Sequence, residues 1–474
     1  MPLIEEVDDV DAVLEVEPDM DDLLTQLTIP PDYSRSEYIA ENPIPELEKW
    51  KAKTTSVLRD ILRIVKAKEA GDLTLEARGN LVFAVAPFAP RSSKRELEDD
   101  RTRLPEPWVK EADEEIAEDI LCLPQLAPSR ELITQVLTNN LKPIFKANPH
   151  PRLNTETGRK VAGSAGGPAA MQDYYDGQRW KEYPGIGKVV LWCVRNIEEE
   201  DYEKIWHLVI PPTMTLLDDY EAKYKLQGLF VVEEMLIHVP GGLLKRTGIA
   251  GLLNQSLRTS LAHLQSPETA ALMKHAIGAS LSLILLTTSV SPGSTDPAER
   301  FNELSSLLGE GIISGIWLYA EDKPGVLLAT FQALPPLFKA LDIGSIRFLK
   351  SLMPQLTHSL IPIPLVEPDR ELQLSALRAL ETLLDVCKPR IPSWRETILD
   401  AVGRCWVGLI DEERKGSSAG DINLRNEVKK SLQDFCVHLA QTCPSVTKDE
   451  YPRLLKADKD LFENLFSQVD GVEL

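Results

Sequence analysis

Seven histidines, His150, His207, His238, His263, His275, His358 and His438, are where metal or acid–base chemistry would first be sought, and no two of them stand four apart, as ligands on one helical face do. The six cysteines, Cys122, Cys193, Cys387, Cys405, Cys436 and Cys443, are scattered without a C-x-x-C pair, so neither a zinc site nor a redox site is expected, and no cofactor is called for. Phosphate-binding loops fail on spacing. Gly163 to Gly167 reads as spacer, and Gly185-Ile186-Gly187-Lys188 reads as a turn feeding the next helix. No G-x-S-x-G elbow or H-E-x-x-H pair occurs. Asp218 and Asp219 are adjacent and so point different ways, which suits turn capping better than paired acid–base work. Lys94-Arg95 and Lys245-Arg246 are short, isolated basic pairs, expected to be solvated surface.

One stretch departs from this bland picture. Residues 148–187 carry Pro149-His150-Pro151, Gly158-Arg159-Lys160, the Gly163–Gly167 run and a cluster of aromatics, which together exclude a helix. Arginine and aromatic side chains anchor protein interfaces, and neighbouring polar groups supply hydrogen bonds. The candidate partner-binding residues are therefore His150, Arg152, Asn154, Arg159, Lys160, Tyr174 and Trp180. An inert insertion pinned down by Trp180 is the competing reading, and both stay open at this point. Removal of residues 148–181 is expected to leave the helices folded while weakening partner binding. A third reading is an enzyme whose site lies under the loop, using His150 with Asp173 or Asp176.

The elements that must position these residues follow from pattern and composition. The chain has 474 residues, a hydrophobic share of 43% and a formal net charge of −21, which suits a globular protein and opposes general binding of nucleic acid. Residues 1–34 hold eleven acids and no Lys or Arg, and prolines follow at 43 and 45, so residues 1–45 are expected to be a disordered acidic tail. Within it, Met20 to Leu27 has helical spacing and is a candidate to fold on a partner. The opening Met-Pro-Leu-Ile-Glu-Glu lacks a secretory pattern, and apolar runs such as Leu281 to Leu286 are too short to span a bilayer. The expected compartment is reducing, cytoplasm and nucleus, with the cysteines serving as buried apolar groups.

Helical periodicity starts at residue 46 and continues through Leu132–Phe145, with Ser129 placed to cap. This defines an N-terminal helical region at 46–147, a long loop at 148–187 and helical repeats at 188–474. In the last of these, Gly228, Ala279, Thr330, Ala376 and Ser431 recur at spacings of 51, 51, 46 and 55, each small and flanked by large aliphatic residues. Tyr202–Leu217, interrupted by Pro211-Pro212, then Asp218-Asp219, then Lys223–His238 has the order of a HEAT hairpin. The expected fold is all-α, an α-solenoid of HEAT- or armadillo-like hairpins.

These residues resemble the Tel-two-interacting-protein-two family, a subunit of the Triple-T co-chaperone complex. The resemblance rests on Asn148-Pro149-His150-Pro151-Arg152-Leu153-Asn154, Thr157-Gly158-Arg159-Lys160, Trp180-Lys181, Val190-Leu191-Trp192-Cys193 and the run from Trp206 to Asp219. It covers roughly residues 140 to 240 well and the remainder only by repeat character. It implies a non-enzymatic HEAT-like scaffold that binds Tel-two-interacting-protein-one and, through it, Tel-two. It implies work with the heat-shock-ninety chaperone to mature and stabilise phosphatidylinositol-3-kinase-related kinases of TOR and DNA-damage signalling. No nucleic acid or membrane partner is expected. The alternative is a HEAT adaptor for nuclear transport or a phosphatase scaffold.

Overall fold

Amphipathic helices dominate the computed structural model, which describes residues 19–34, 45–69, 71–91, 106–147, 149–161, 177–288, 297–320, 322–363, 366–415 and 422–469. They form two units. The first comprises Met1–Asp99, Pro105–Asn148 and Gln178–Asn196, and the second Asp100–Leu104, Pro149–Gly177 and Ile197–Leu474.

In the first unit, helix Pro45–Ala67 buries Leu58, Ile61 and Val65 against helix Glu111–Leu121, and helix Leu75–Val85 lies on the helix that begins at Arg130. The Ser129 hydroxyl accepts the Leu132 N–H at 3.2 Å, the expected cap. That helix passes through a π-helical turn, Val136–Leu141, just ahead of Pro143, whose ring excludes the carbonyl four residues back at ordinary helical spacing. The expected disordered tail is corrected in part. Met20–Gln26 is a helix packed on Pro45–Ala67, with Leu23, Leu27 and Ile29 buried, so these apolar groups are covered within this chain. Residues 1–18 and 35–44 lie outside the described residues.

The second unit is a row of hairpins. Five inner helices, Ala222–His238, Thr269–Thr287, Pro324–Leu341, Arg370–Val386 and Ile422–Thr442, pack each on the next. Each is paired with an outer segment: Tyr202–Leu217, Ile249–Ser260, Pro297–Ser306 continuing through the π-helical Leu307–Trp317, Leu349–His358 and Arg395–Lys415. The five small residues fall one on each inner helix. Ala279, Thr330 and Ala376 are buried, and Ser431 is half-buried. Gly228 sits where a methyl group would stand 2.4 Å from the Leu217 backbone nitrogen. Polar pairs tie neighbouring inner helices, His275 with Glu233 at 2.7 Å and His438 with Asp385 at 3.0 Å. Helices Glu450–Ala457 and Lys459–Phe466 close the end of the row, with Tyr451 stacked on Phe466.

Four expectations are amended. Pro211 and Pro212 do not break the first outer helix, which runs unbroken from Tyr202 to Leu217. The repeat region does not begin at 188, because helix Ile186–Arg195 packs in the first unit. Thr269–Thr287 and Pro324–His358 are long and apolar enough to cross a membrane by length and composition, contrary to the expectation from short apolar runs; at least half of each apolar window is buried between neighbouring helices. Finally, five cysteines are buried but Cys122 is exposed.

Candidate partner-binding surface

The stretch expected to be one long loop is, where described, two ordered pieces in different units. Residues 149–161 form a hairpin in the second unit, with strands β1 (Leu153–Asn154) and β2 (Arg159–Lys160) antiparallel. Residues 178–187 belong to the first unit. Tyr174, Asp173, Asp176 and the Gly163–Gly167 run lie outside the described residues.

Local chemistry fixes the hairpin turn. The Asn154 side-chain oxygen accepts the N–H groups of Glu156 at 3.0 Å and Thr157 at 3.2 Å, an Asx turn. Gly158 follows at φ 64°, a conformation that favours glycine, and its missing side chain matters a second time, since a Cβ there would stand 2.8 Å from Trp206 Cδ1. The Trp206 indole N–H donates to the Gly158 carbonyl at 2.9 Å. Two separate sequence segments, Thr157-Gly158 and Trp206-His207, thus meet at van der Waals distance.

The hairpin's N-terminal end is held by a buried polar set. The Arg152 backbone N–H donates to His150 Nδ1 at 3.2 Å, so Nε2 carries the proton that faces Asp218 Oδ2 at 2.9 Å. Burial, the largest single influence, raises the Asp218 carboxyl, but the hydrogen bonds from His150 and Ser256 together with nearby positive charge, Lys225 included, outweigh it and hold the group below its ordinary value. Lys225, at the start of the first inner helix, donates to the Leu217 carbonyl at 2.6 Å, and burial pulls its ammonium down. Asp219 accepts the Glu221 N–H at 2.8 Å and so shapes the entry to that helix. Asp218 and Asp219 are therefore turn-forming groups, and the carboxylate facing His150 is Asp218.

The Asp218 shift carries a pH dependence whose sign is fixed. A carboxyl depressed in the folded state stabilises the fold above its unfolded value, and that contribution is lost as pH falls through the folded value. The wild-type chain is expected to lose stability on acidification below about pH 4, and Asp218→Asn to show a smaller loss over the same window, while being less stable near neutrality. Urea midpoints measured across that range check it.

Trp180 and His150 are interior groups. Trp180 is buried at 2% exposure, stacked on Phe145 with centroids 6.0 Å apart, and Lys181 lies over its ring at 5.5 Å. His150 is 3% exposed. Neither side chain is available at a docking surface, because each is already packed in its own unit. Asn154 is spent on the turn. What remains presented is Arg152, which reaches Gln255 on helix Ile249–Ser260, together with exposed Arg159 and Lys160. The expectation that residues 148–181 can be removed with the helices intact is corrected by the same geometry, since the deletion takes out the His150 and Gly158 contacts in one unit and Trp180 in the other.

Sequence reading missed the groups across the fold that complete this surface. Lys160 lies with its stem against Gly248, which has φ 75° and follows Lys245 and Arg246. Only the basic dipeptide itself was visible in sequence, and it pointed to isolated solvated charge. Lys94-Arg95 lies outside the described residues.

A sequence profile of the Tti2 family matches residues 100–366, more than half of the chain. The chain belongs to the Tti2 family. The match includes the hairpin and the first three inner helices of the row. Mouse TELO2-interacting protein 2 is 24% identical over 234 residues, covering 49% of this chain and 44% of the mouse protein. The rat protein of the same name is 22% identical over 308 residues, covering 63% of this chain and 54% of the relative. The chain thus spans about half the length of these curated relatives. Among solved structures, a Kap121p mutant is similar over 92% of this chain and 36% of its own, at 11% identity and a TM-score of 0.45.

Proposed function

We propose that this Tti2-family chain is a non-enzymatic scaffold subunit of a Triple-T co-chaperone assembly. In this reading it binds homologues of Tel-two-interacting-protein-one and Tel-two, and with the heat-shock-ninety chaperone it supports maturation of phosphatidylinositol-3-kinase-related kinases in cytoplasm and nucleus. The observation that carries the reading is the family match across residues 100–366, which takes in the hairpin and more than half of the stacked row. The physical form suits the role, because a row of hairpins offers continuous ridges for extended protein contact. Of the polar side chains nearest to a catalytic arrangement, His150 bonds to Asp218 and so holds the hairpin on its repeat, and Lys225 donates to the Leu217 carbonyl.

Affinity purification of the tagged chain with mass spectrometry tests it. The expected main partners are the two other Triple-T subunits, and depletion of the chain is expected to lower the levels of the client kinases. Recovery of transport factors, or of a phosphatase catalytic subunit, as the main partner would sink the reading.

A further inference from the structure

We propose that the hairpin and the turn after helix Gly241–Thr247 form one basic docking surface for a short acidic segment of a partner protein. The proposal rests on the scaffold reading and names the chemistry of one of its contacts.

Five cationic side chains from three places in the sequence stand on these elements, Arg152, Arg159 with Lys160, and Lys245 with Arg246. Arg159 and Lys160 are exposed on β2, which packs against helix Ile249–Ser260. A side chain at Gly248 would stand 3.1 Å from Lys160 Cβ and 3.5 Å from its Cδ, so the lysine stem lies on the bare backbone of that residue. Gly248 caps the short helix whose last turn exposes Lys245 and Arg246. Arg152 extends the set along helix Ile249–Ser260 through Gln255. Glu156 stands in the hairpin turn, and Arg246 pairs with Glu203 at 2.5 Å. Among the described residues, no carboxylate lies at salt-bridge distance from Arg159, Lys160 or Lys245.

In the same unit some exposed arginines are already paired, Arg258 with Glu303 and Glu310, Arg378 with Glu427, Arg404 with Asp400, whereas Arg159, among the described residues, is not. The cations of the hairpin are also held in place before any ligand arrives. Buried His150, buried Leu153 and the Trp206 bond to Gly158 fix the backbone that carries them, which lowers the ordering cost of binding. Val161, large and 39% exposed, adjoins Lys160 and gives an apolar contact beside the charge.

Charge complementarity selects an acidic ligand, and the setting selects a short peptide. The patch is the width of one hairpin and one turn on a chain of net charge −21. A nucleic-acid duplex or an anionic bilayer would bring its charge against the acidic remainder as well, whereas a flexible acidic segment engages the patch within a screening length of roughly 8 Å.

Fluorescence anisotropy of the full chain with a short labelled peptide of glutamates and serines tests the assignment. Arg159→Glu with Lys160→Glu is expected to weaken binding roughly tenfold or more, and Lys245→Glu, on a different element, to weaken it in the same sense. Glu156→Lys is expected to tighten it, Arg404→Glu to leave it unchanged, and added salt to weaken wild-type binding. Unaltered thermal midpoints confirm that these exposed variants fold. Peptide binding that ignores both the hairpin and the Lys245 substitutions would overturn the proposal. So would patch-dependent binding of duplex DNA or phosphatidylserine vesicles tighter than that of the peptide. Co-purification of the other Triple-T subunits by the wild-type chain is read separately: its failure would remove the scaffold reading even if the peptide binds, and its success with no patch-dependent peptide binding would remove only the docking surface.

Discussion

Gly228→Ala is expected to destabilise the second unit by about 3 kcal/mol or more, although the same substitution in an open helix stabilises. The added methyl group would meet the Leu217 nitrogen at 2.4 Å, Leu217 Cα at 2.5 Å and the Leu216 carbonyl carbon at 2.8 Å. All three are backbone atoms of the paired segment, so no rotamer change relieves the overlap and the two helices must separate. The gain in helix propensity, about 1 kcal/mol, is too small to offset this. Gly251, in helix Ile249–Ser260, has nothing within 4 Å of the place a Cβ would occupy, and Gly251→Ala is expected to raise stability by about 0.5–1 kcal/mol. Opposite shifts in urea midpoint for two chemically identical changes are the expected result. A neutral Gly228→Ala would show that the two helices of the first hairpin do not approach this closely.

The second large effect is expected at Trp180. Trp180→Ala removes a buried indole stacked on Phe145 and should cost about 3–5 kcal/mol in the first unit. Trp180→Phe keeps an aromatic face against Phe145 and should recover more than half of that loss. Hydrogen exchange is expected to accelerate first in the segments that line the site, helix Lys142–Phe145 and the turn Arg179–Glu182. An interface anchor behaves otherwise: its alanine variant folds as wild type and loses only partner affinity. If Trp180→Ala leaves the midpoint unchanged and abolishes co-purification, the residue belongs to a docking surface after all.

The repeat row is legible in sequence because its signal is short-range and reiterated. Gly228, Ala279, Thr330, Ala376 and Ser431 mark five inner helices, since a helix flanked on several sides needs a small residue at its closest approach and large aliphatic residues on either side of it. Asp218-Asp219 is readable as a turn, because the adjacency of two acids says which way each can point. The family itself is readable from motif spacing, and the structure gives the reason. His150 bonds to Asp218 and Gly158 contacts Trp206, so residues far apart in the matching segments form one contact set.

The residues of the long stretch are less legible. Its mixture of Arg, His, Tyr and Trp suits an interface and equally suits a segment pinned to its own protein, and composition does not record which side chain is inside. Trp180 and His150 prove interior, Asn154 shapes a turn, and Arg159 and Lys160 stay exposed. The acidic character of the N-terminal segment likewise masks a helix whose buried face is only Leu23, with Leu27 and Ile29 following it.

By itself, then, the sequence determined the all-α class, the helical hairpins and the family, because periodicity, capping and motif order are properties of neighbours along the chain. The tertiary structure decided which groups are spent inside the fold and which stay exposed. That choice depends on residues far apart in sequence, such as Lys160 with Gly248, reaching the same place. Side-chain burial and charge pairing are set by distance in space, which spacing along the chain does not encode.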